Sequence, residues 1–118
     1  MGSASQVFAM IKDEIPGFNG AAVGTLDGSS YESAGGDLGA VGADLAAIAR
    51  SWHQTWNDLG AAVDFGSNDD VLISATKGYL LIKVNHDKQT FLAVALLANG
   101  NIGYLRFRMR DYLRRITG

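Results

Sequence analysis

The sequence predicts an α/β domain of the α+β kind, in the order helix, strand, strand, helix, strand, strand, strand, helix. Three observations carry that prediction. Residues 37–59 repeat apolar side chains at steps of three and four, the spacing of one helix face. Residues 70–97 hold three strand-like runs separated by short polar turns. Residues 102–116 return to helical spacing.

Composition sets the limits. The 118 residues suit one domain spanning 1–118, with enough chain to bury a core. A hydrophobic fraction of 47% against 19% charged is that of a globular protein. The absence of cysteine excludes a disulfide framework and a thiolate metal site, and fits a reducing, cytoplasmic setting. The longest apolar runs, 79–82 and 91–98, are far short of the ~20 residues of a spanning helix. The first residues lack a basic patch followed by an apolar run, so no signal peptide is expected.

A net charge of −2 conceals a polarity along the chain. Residues 1–70 hold two cations against ten carboxylates, and residues 71–118 hold eight cations against Asp87 and Asp111 alone. Five of those cations are arginines between Arg106 and Arg115. A basic segment can suggest nucleic acid. With an acidic remainder and a sequence pI near 5.5, a solvated helix face is the better reading, and no nucleic-acid partner is expected.

Taken in order, Ser5 or Ser3 can cap a first helix carrying Val7, Phe8, Ile11 and Ile15, and Pro16 stops it. Residues 21–25 form a strand running into Leu26-Asp27-Gly28-Ser29, where Asp-Gly signals a two-residue hairpin turn. Residues 30–34 return, and Gly35-Gly36 ends that strand. Asp37 is a good N-cap for the long helix, whose stripe is Leu38, Val41, Leu45, Ile48, Trp52, Trp56 and Leu59. That stripe is expected to dock on the sheet. The rest of the helix is small: Ala40, Ala43, Ala46, Ala47 and Ala49, with Gly39 and Gly42. Small residues allow a second helix to approach, so this face is read as a dimer contact.

Three strands follow, at 70–75, 79–85 and 90–97. The last is apolar almost throughout, as suits a central strand covered on both faces. In the final segment Leu105, Phe107 and Met109 alternate with arginines, a strand period. Ile102, Leu105, Met109, Tyr112, Leu113 and Ile116 form a helix face over a longer window, which decides for a helix capped by Asn101. That leaves Phe107 on the far face beside Arg110 and Arg114. A solvent-facing aromatic flanked by arginines has the composition of a binding hot spot, so these three are the candidate partner-binding residues.

Residues 20–116 resemble the Roadblock/dynein light chain family, whose members include dynein light chains, Ragulator subunits and a bacterial gliding-motility GTPase regulator. The resemblance rests on Gly20-Ala21-Ala22-Val23 with Leu26-Asp27-Gly28, the Ala-rich long helix, Gly78-Tyr79-Leu80-Leu81-Ile82, Phe91-Leu92-Ala93-Val94 and Asn101-Ile102-Gly103-Tyr104-Leu105-Arg106. Order and spacing carry it, not any single motif. Profilin has a related layout but carries more strands than this sequence shows. The resemblance implies a profilin-like, five-stranded antiparallel sheet between helices. It also implies homodimers made by pairing the long helices and joining the third strands into one sheet. On that basis the dimer contact is assigned to Ala40, Ala43, Ala47, Val71 and Ile73. The implied function is a binding platform that regulates or scaffolds a small Ras-like GTPase or a larger protein assembly.

No enzymatic motif competes. The sequence has no GxxxxGK[ST] and no GxGxxG after a strand. His53 lies on the long helix opposite its stripe, expected solvated or at an interface, and His86 lies in a turn beside Asp87. Neither adjoins a nucleophile motif, and no spacing suggests a metal. Asp69-Asp70 reads as an ordinary surface pair. No catalytic residue, metal or cofactor is expected. A second reading, a small-molecule-sensing or purely structural domain of the same shape, remains. It lacks a polar group in the predicted core that would orient a ligand.

Overall fold

The computed structural model describes residues 4–29, 31–35, 42–64 and 70–117, apart from the side chains of residues 42, 43, 61 and 117. The elements are α1 (Ala4–Glu14), β1 (Phe18–Thr25), β2 (Tyr31–Ala34), α2 (Gly42–Val63), β3 (Asp70–Ala75), β4 (Gly78–Asn85), β5 (Thr90–Leu97) and α3 (Ile102–Thr117). The five strands make one sheet in the order β2-β1-β5-β4-β3, antiparallel at every junction. Helices lie on both faces. This is the architecture and element order that the sequence predicts.

The strand alternation sorts the core into two layers. On one face Ala21, Val23, Leu81, Leu92, Val94 and Leu96 pack against Val7, Phe8 and Ile11 of α1 and Leu105, Met109, Tyr112 and Leu113 of α3. On the other, Ala22, Leu26, Ile82, Val84, Phe91 and Ala93 pack against Leu45, Ala46 and Ala49 of α2. Neighbouring residues of β5 thus serve opposite layers, which is why residues 91–94 are all buried and the run shows no alternation.

The ends of the elements follow local chemistry. Helix α1 begins at Ala4, so Ser5 lies inside its first turn and not at the cap; Ser3 is outside the described residues. Pro16 and Gly17 make the turn into β1, with Gly17 at φ +86°, a region open to glycine. Strand β1 starts at Phe18, earlier than its apolar run suggests, because Phe18 already pairs with Leu96. Asn101 caps α3, its Oδ1 accepting the Tyr104 N–H at 3.0 Å. Tyr112, fully buried, donates its hydroxyl to Glu14 at 2.5 Å and so ties α3 to α1. Burial first, then that carboxylate, pushes the Tyr112 phenol up from its usual value.

The Asp27-Gly28 turn is longer than a two-residue hairpin. Among the described residues the pair nearest the turn is Gly24 with Tyr31. The reason is the Asp27 carboxylate, whose Oδ1 accepts from the Thr25 hydroxyl (2.7 Å), the Ser29 N–H (2.9 Å) and the Ser29 hydroxyl (2.7 Å). These bonds build an Asx-type loop with Gly28 at φ +77°. The Thr25 hydroxyl first, then the Ser29 donors, hold the Asp27 carboxyl down to about 2. A depressed carboxylate stabilises the fold above its unfolded value, and that contribution fades as pH falls through the folded one. The loop should therefore stay closed down to pH ~4 and open as Asp27 protonates near pH 2. Carbon NMR of the Asp27 carboxyl should give a midpoint near 2; one near 3.8 would mean these bonds do not form in solution.

Candidate functional site

Helix α2 turns a different face to the sheet from the one its large side chains suggest. Leu45, Ala46 and Ala49 are buried against β1, β4 and β5, and Gly60 is buried on the same side. Ile48 (40% exposed) and Trp52 (37%), with Leu59 and Val63, run along the helix about a quarter-turn away and stay in solvent. The expectation that the large stripe docks while the small residues face outward therefore holds for Leu45 and is reversed at Ile48, Trp52, Leu59, Ala46 and Ala49. The physical reason is distance: Ala46 and Ala49 let the helix backbone lie close over a sheet face already filled by Phe91, Ile82 and Val84. Leu38, Val41, the Asp37 cap and Ala40 lie outside the described residues, as does the Ala43 side chain.

The exposed stripe is continuous with the sheet's edge. Among the described residues strand β3 has a single neighbour in the sheet, β4. Between it and α2 runs an open groove of about 730 Å³, lined by Ala47, Ile48, Trp52, Val71, Leu72 and Ile73 among others. Three of the five predicted contact residues, Ala47, Val71 and Ile73, thus come together in one groove. Ile48, Trp52 and Leu72 belong to it as well and were missed. Their signal was present in the spacing of the long helix, but spacing alone does not tell which of two apolar faces meets the sheet.

The edge strand is held from the other side. Arg106 of α3 grips the Asp70 carboxylate with two bonds, Nε to Oδ2 at 2.9 Å and Nη2 to Oδ1 at 2.7 Å. The Asp70 side chain is only 4% exposed, so it is not the ordinary surface residue that the sequence suggested. Asp69 is outside the described residues. Arg106→Ala leaves that carboxylate buried without its clamp. The expected cost is about 1–3 kcal/mol of stability, with faster amide exchange in β3 than in β4. Uniform exchange across both strands would show that the clamp does not hold the edge.

On the outer face of α3, Phe107 is 79% exposed and stands between Leu105 and Met109, both fully buried. Arg110 and Arg114 lie one and two turns further along, both exposed. The helix therefore presents the three predicted partner-binding residues together on its solvent side. Asp111 engages Arg114 at 2.9 Å, Arg115 at 3.0 Å and Arg108 at 3.3 Å, and these arginines, Arg115 first, hold its carboxyl below the usual range. Arg110 makes no such bond to any described residue.

No protein-family model matches the chain, and no curated protein matches it in sequence. Solved structures do match in shape. A Roadblock/LC7 domain from Streptomyces avermitilis aligns with a TM-score of 0.77 at 17% identity, over 96% of this chain and 93% of that one. Myxococcus xanthus MglB aligns with a TM-score of 0.78 at 16% identity, over 97% and 91%. The gliding protein MglB from Thermus thermophilus aligns with a TM-score of 0.74 at 12% identity, over 97% and 85%. The chain has the Roadblock fold.

Within this Roadblock fold the two histidines are half-buried and in contact. Their rings meet at 4.7 Å between centroids, tilted by 43°, which joins α2 to the β4–β5 turn. His53 Nδ1 is buried and has no hydrogen-bond partner. The contact follows from the rotation of α2, which turns the side about a quarter-turn from Trp52, with Ala46, Ala49 and His53, toward the sheet; the sequence placed His53 opposite the stripe and expected solvent or an interface there. Among the described residues no group of three or more His, Asp or Glu side chains is placed to hold a metal. Among the same residues no helix is long and apolar enough to cross a membrane.

Proposed function

We propose that this protein is a non-catalytic, homodimeric binding platform of the Roadblock type that regulates or scaffolds a small Ras-like GTPase. The observation that carries the first half is the apolar surface continuous across α2 and β3. Ile48, Trp52, Leu59, Val63, Leu72 and Ile73 stand exposed together beside a sheet edge. Contiguous apolar surface of this kind marks an interface, and an open strand edge invites pairing. A second copy brings both remedies, a facing helix and a facing strand, with Ala47, Val71 and Ile73 at the contact; Ala40 and Ala43 are assigned to it from the family resemblance alone.

The GTPase partner is carried over from the family the sequence resembles, and the match in fold to MglB structures supports it. The test is a pull-down with the tagged protein from its source organism, followed by binding of the purified GTPase. Recovery of a Ras-like GTPase that binds the wild type but not a monomeric variant is the expected result. A dimer that binds no such GTPase would leave the scaffold role alone standing.

Phe107, Arg110 and Arg114 are proposed as a docking site separate from the dimer face. Phe107→Ala with Arg110→Glu is expected to weaken partner binding at least about tenfold while leaving dimer and melting temperature intact. At 79% exposure Phe107 has little packing to lose, so a drop of ~3–5 kcal/mol, typical of a buried phenylalanine, would show it covered in the assembled protein.

A further inference from the structure

The ion pairs of α3 share one arrangement: the arginine stands outside and the carboxylate lies beneath it. Arg106 is 56% exposed over an Asp70 side chain at 4%, and Arg114 is 73% exposed over Asp111 at 27%. These bonds fix the guanidiniums in place without covering them. We infer that the outer face of α3 docks an acidic protein segment that also carries an apolar side chain, laid over Phe107 between the arginines. This rests on reading Phe107, Arg110 and Arg114 as a docking site, and it adds the chemistry of what docks there.

The helix stays positive when its bonded carboxylates are counted. Residues 102–117 hold five arginines against a single carboxylate, Asp111, which serves Arg108, Arg114 and Arg115 at once. One negative charge shared among three cations leaves most of their field unbalanced. Arg110 has no bond to any described carboxylate. Phe107 stands among these groups at 79% exposure, so apolar cover for its ring has to come from a partner. Gly103, one turn before it, leaves one flank of the ring open. A Cβ at that position would meet only the Asn101 Oδ1, at 3.9 Å, so a second backbone can come close there.

The arrangement favours a protein over a bilayer. Its apolar content is a single ring, which inserts less hydrocarbon than the one acyl chain that holds a protein to membranes only marginally. Guanidiniums already fixed at their bases lose little freedom on binding, and their planar forks match carboxylates placed to meet them. The face is also separate from the dimer groove, whose lining comes from α2 and β3.

The test is an NMR titration of the full-length protein with a synthetic helix-forming peptide of glutamate, alanine and leucine, at constant ionic strength. The same peptide with lysine in place of glutamate is titrated beside it. Saturable shifts confined to α3 are expected with the acidic peptide and none with the basic one. Gly103→Glu and Arg110→Glu should each weaken binding at least about tenfold. Gly103→Glu should stay folded, because a carboxylate in the first turn suits the helix dipole. Phe107→Ala should weaken binding while leaving its salt dependence unchanged, and Lys12→Gln, which removes an exposed charge of α1, should alter neither. Shifts that never saturate, equal binding of the lysine peptide, or unaltered affinity in both glutamate variants would overturn the assignment. Tighter binding to phosphatidylglycerol vesicles than to the peptide would overturn it in favour of a membrane surface. No GTPase is present in this assay, so its failure leaves the GTPase reading to the pull-down, and an empty pull-down leaves the acidic docking face standing.

Discussion

Trp52→Glu should turn a dimer at micromolar concentration into a monomer. Trp52 lies near the middle of the exposed stripe of α2 and lines the groove shared with β3. A tryptophan at the centre of an interface typically contributes ~2 kcal/mol or more, and a glutamate there would also have to be desolvated without a partner. The dimer constant should rise at least about a hundredfold, equivalent to about 2.7 kcal/mol. The fold should survive, because at 37% exposure Trp52 leaves much of its surface outside the core of its own subunit. Analytical ultracentrifugation with circular dichroism checks both halves of the expectation. Ala47→Glu, in the same groove, should act in the same direction. A variant that remains dimeric with an unchanged constant would remove α2 and β3 from the contact, and with them the role assigned to Ala47, Val71 and Ile73.

What the sequence reveals and what it hides divide along a physical line. Period and punctuation are local, so the order of elements, the Asn101 cap and the Ile102–Leu105–Met109–Tyr112–Leu113 face of α3 are legible in the residues themselves. The conflict of periods over residues 105–110 resolves correctly because the longer window counts more side chains. Rotation of a helix about its own axis is not local. Residues 42–63 carry two apolar surfaces, one of small residues with Leu45 and one of large residues, and the sheet decides between them by how near the backbone must come. The Asp70–Arg106 clamp is equally invisible, since its partners are 36 residues apart and neither belongs to a motif. The His53–His86 contact depends on the same rotation and on where the β4–β5 turn falls. Each is made of ordinary residues that only the fold assembles.

The reversed orientation of α2 makes its own demand on Ala49. Ala49 is 1% exposed and sits with Leu45, Ala46, Ile82 and Phe91 in the layer between helix and sheet, two residues along the chain from the groove-lining Ala47. Ala49→Glu would drive a longer side chain and an unpaired charge into that layer. Overpacking alone costs about 1–3 kcal/mol, and an isolated buried carboxylate adds several more or takes up a proton. A total of ~4 kcal/mol or above is a large share of the roughly 5–15 kcal/mol that holds a domain together, so extensive unfolding is expected at about 37 °C. Ala49→Gly is the control for backbone effects and should cost only about 1 kcal/mol. Urea melts of Ala49→Glu and Ala47→Glu decide the matter, because the two residues differ by about 200° around the helix. Loss of fold at 49 with a folded monomer at 47 is the outcome required if small residues face the sheet. A folded monomer at 49 and an unfolded chain at 47 would restore the orientation in which the large stripe docks and the alanines meet the partner.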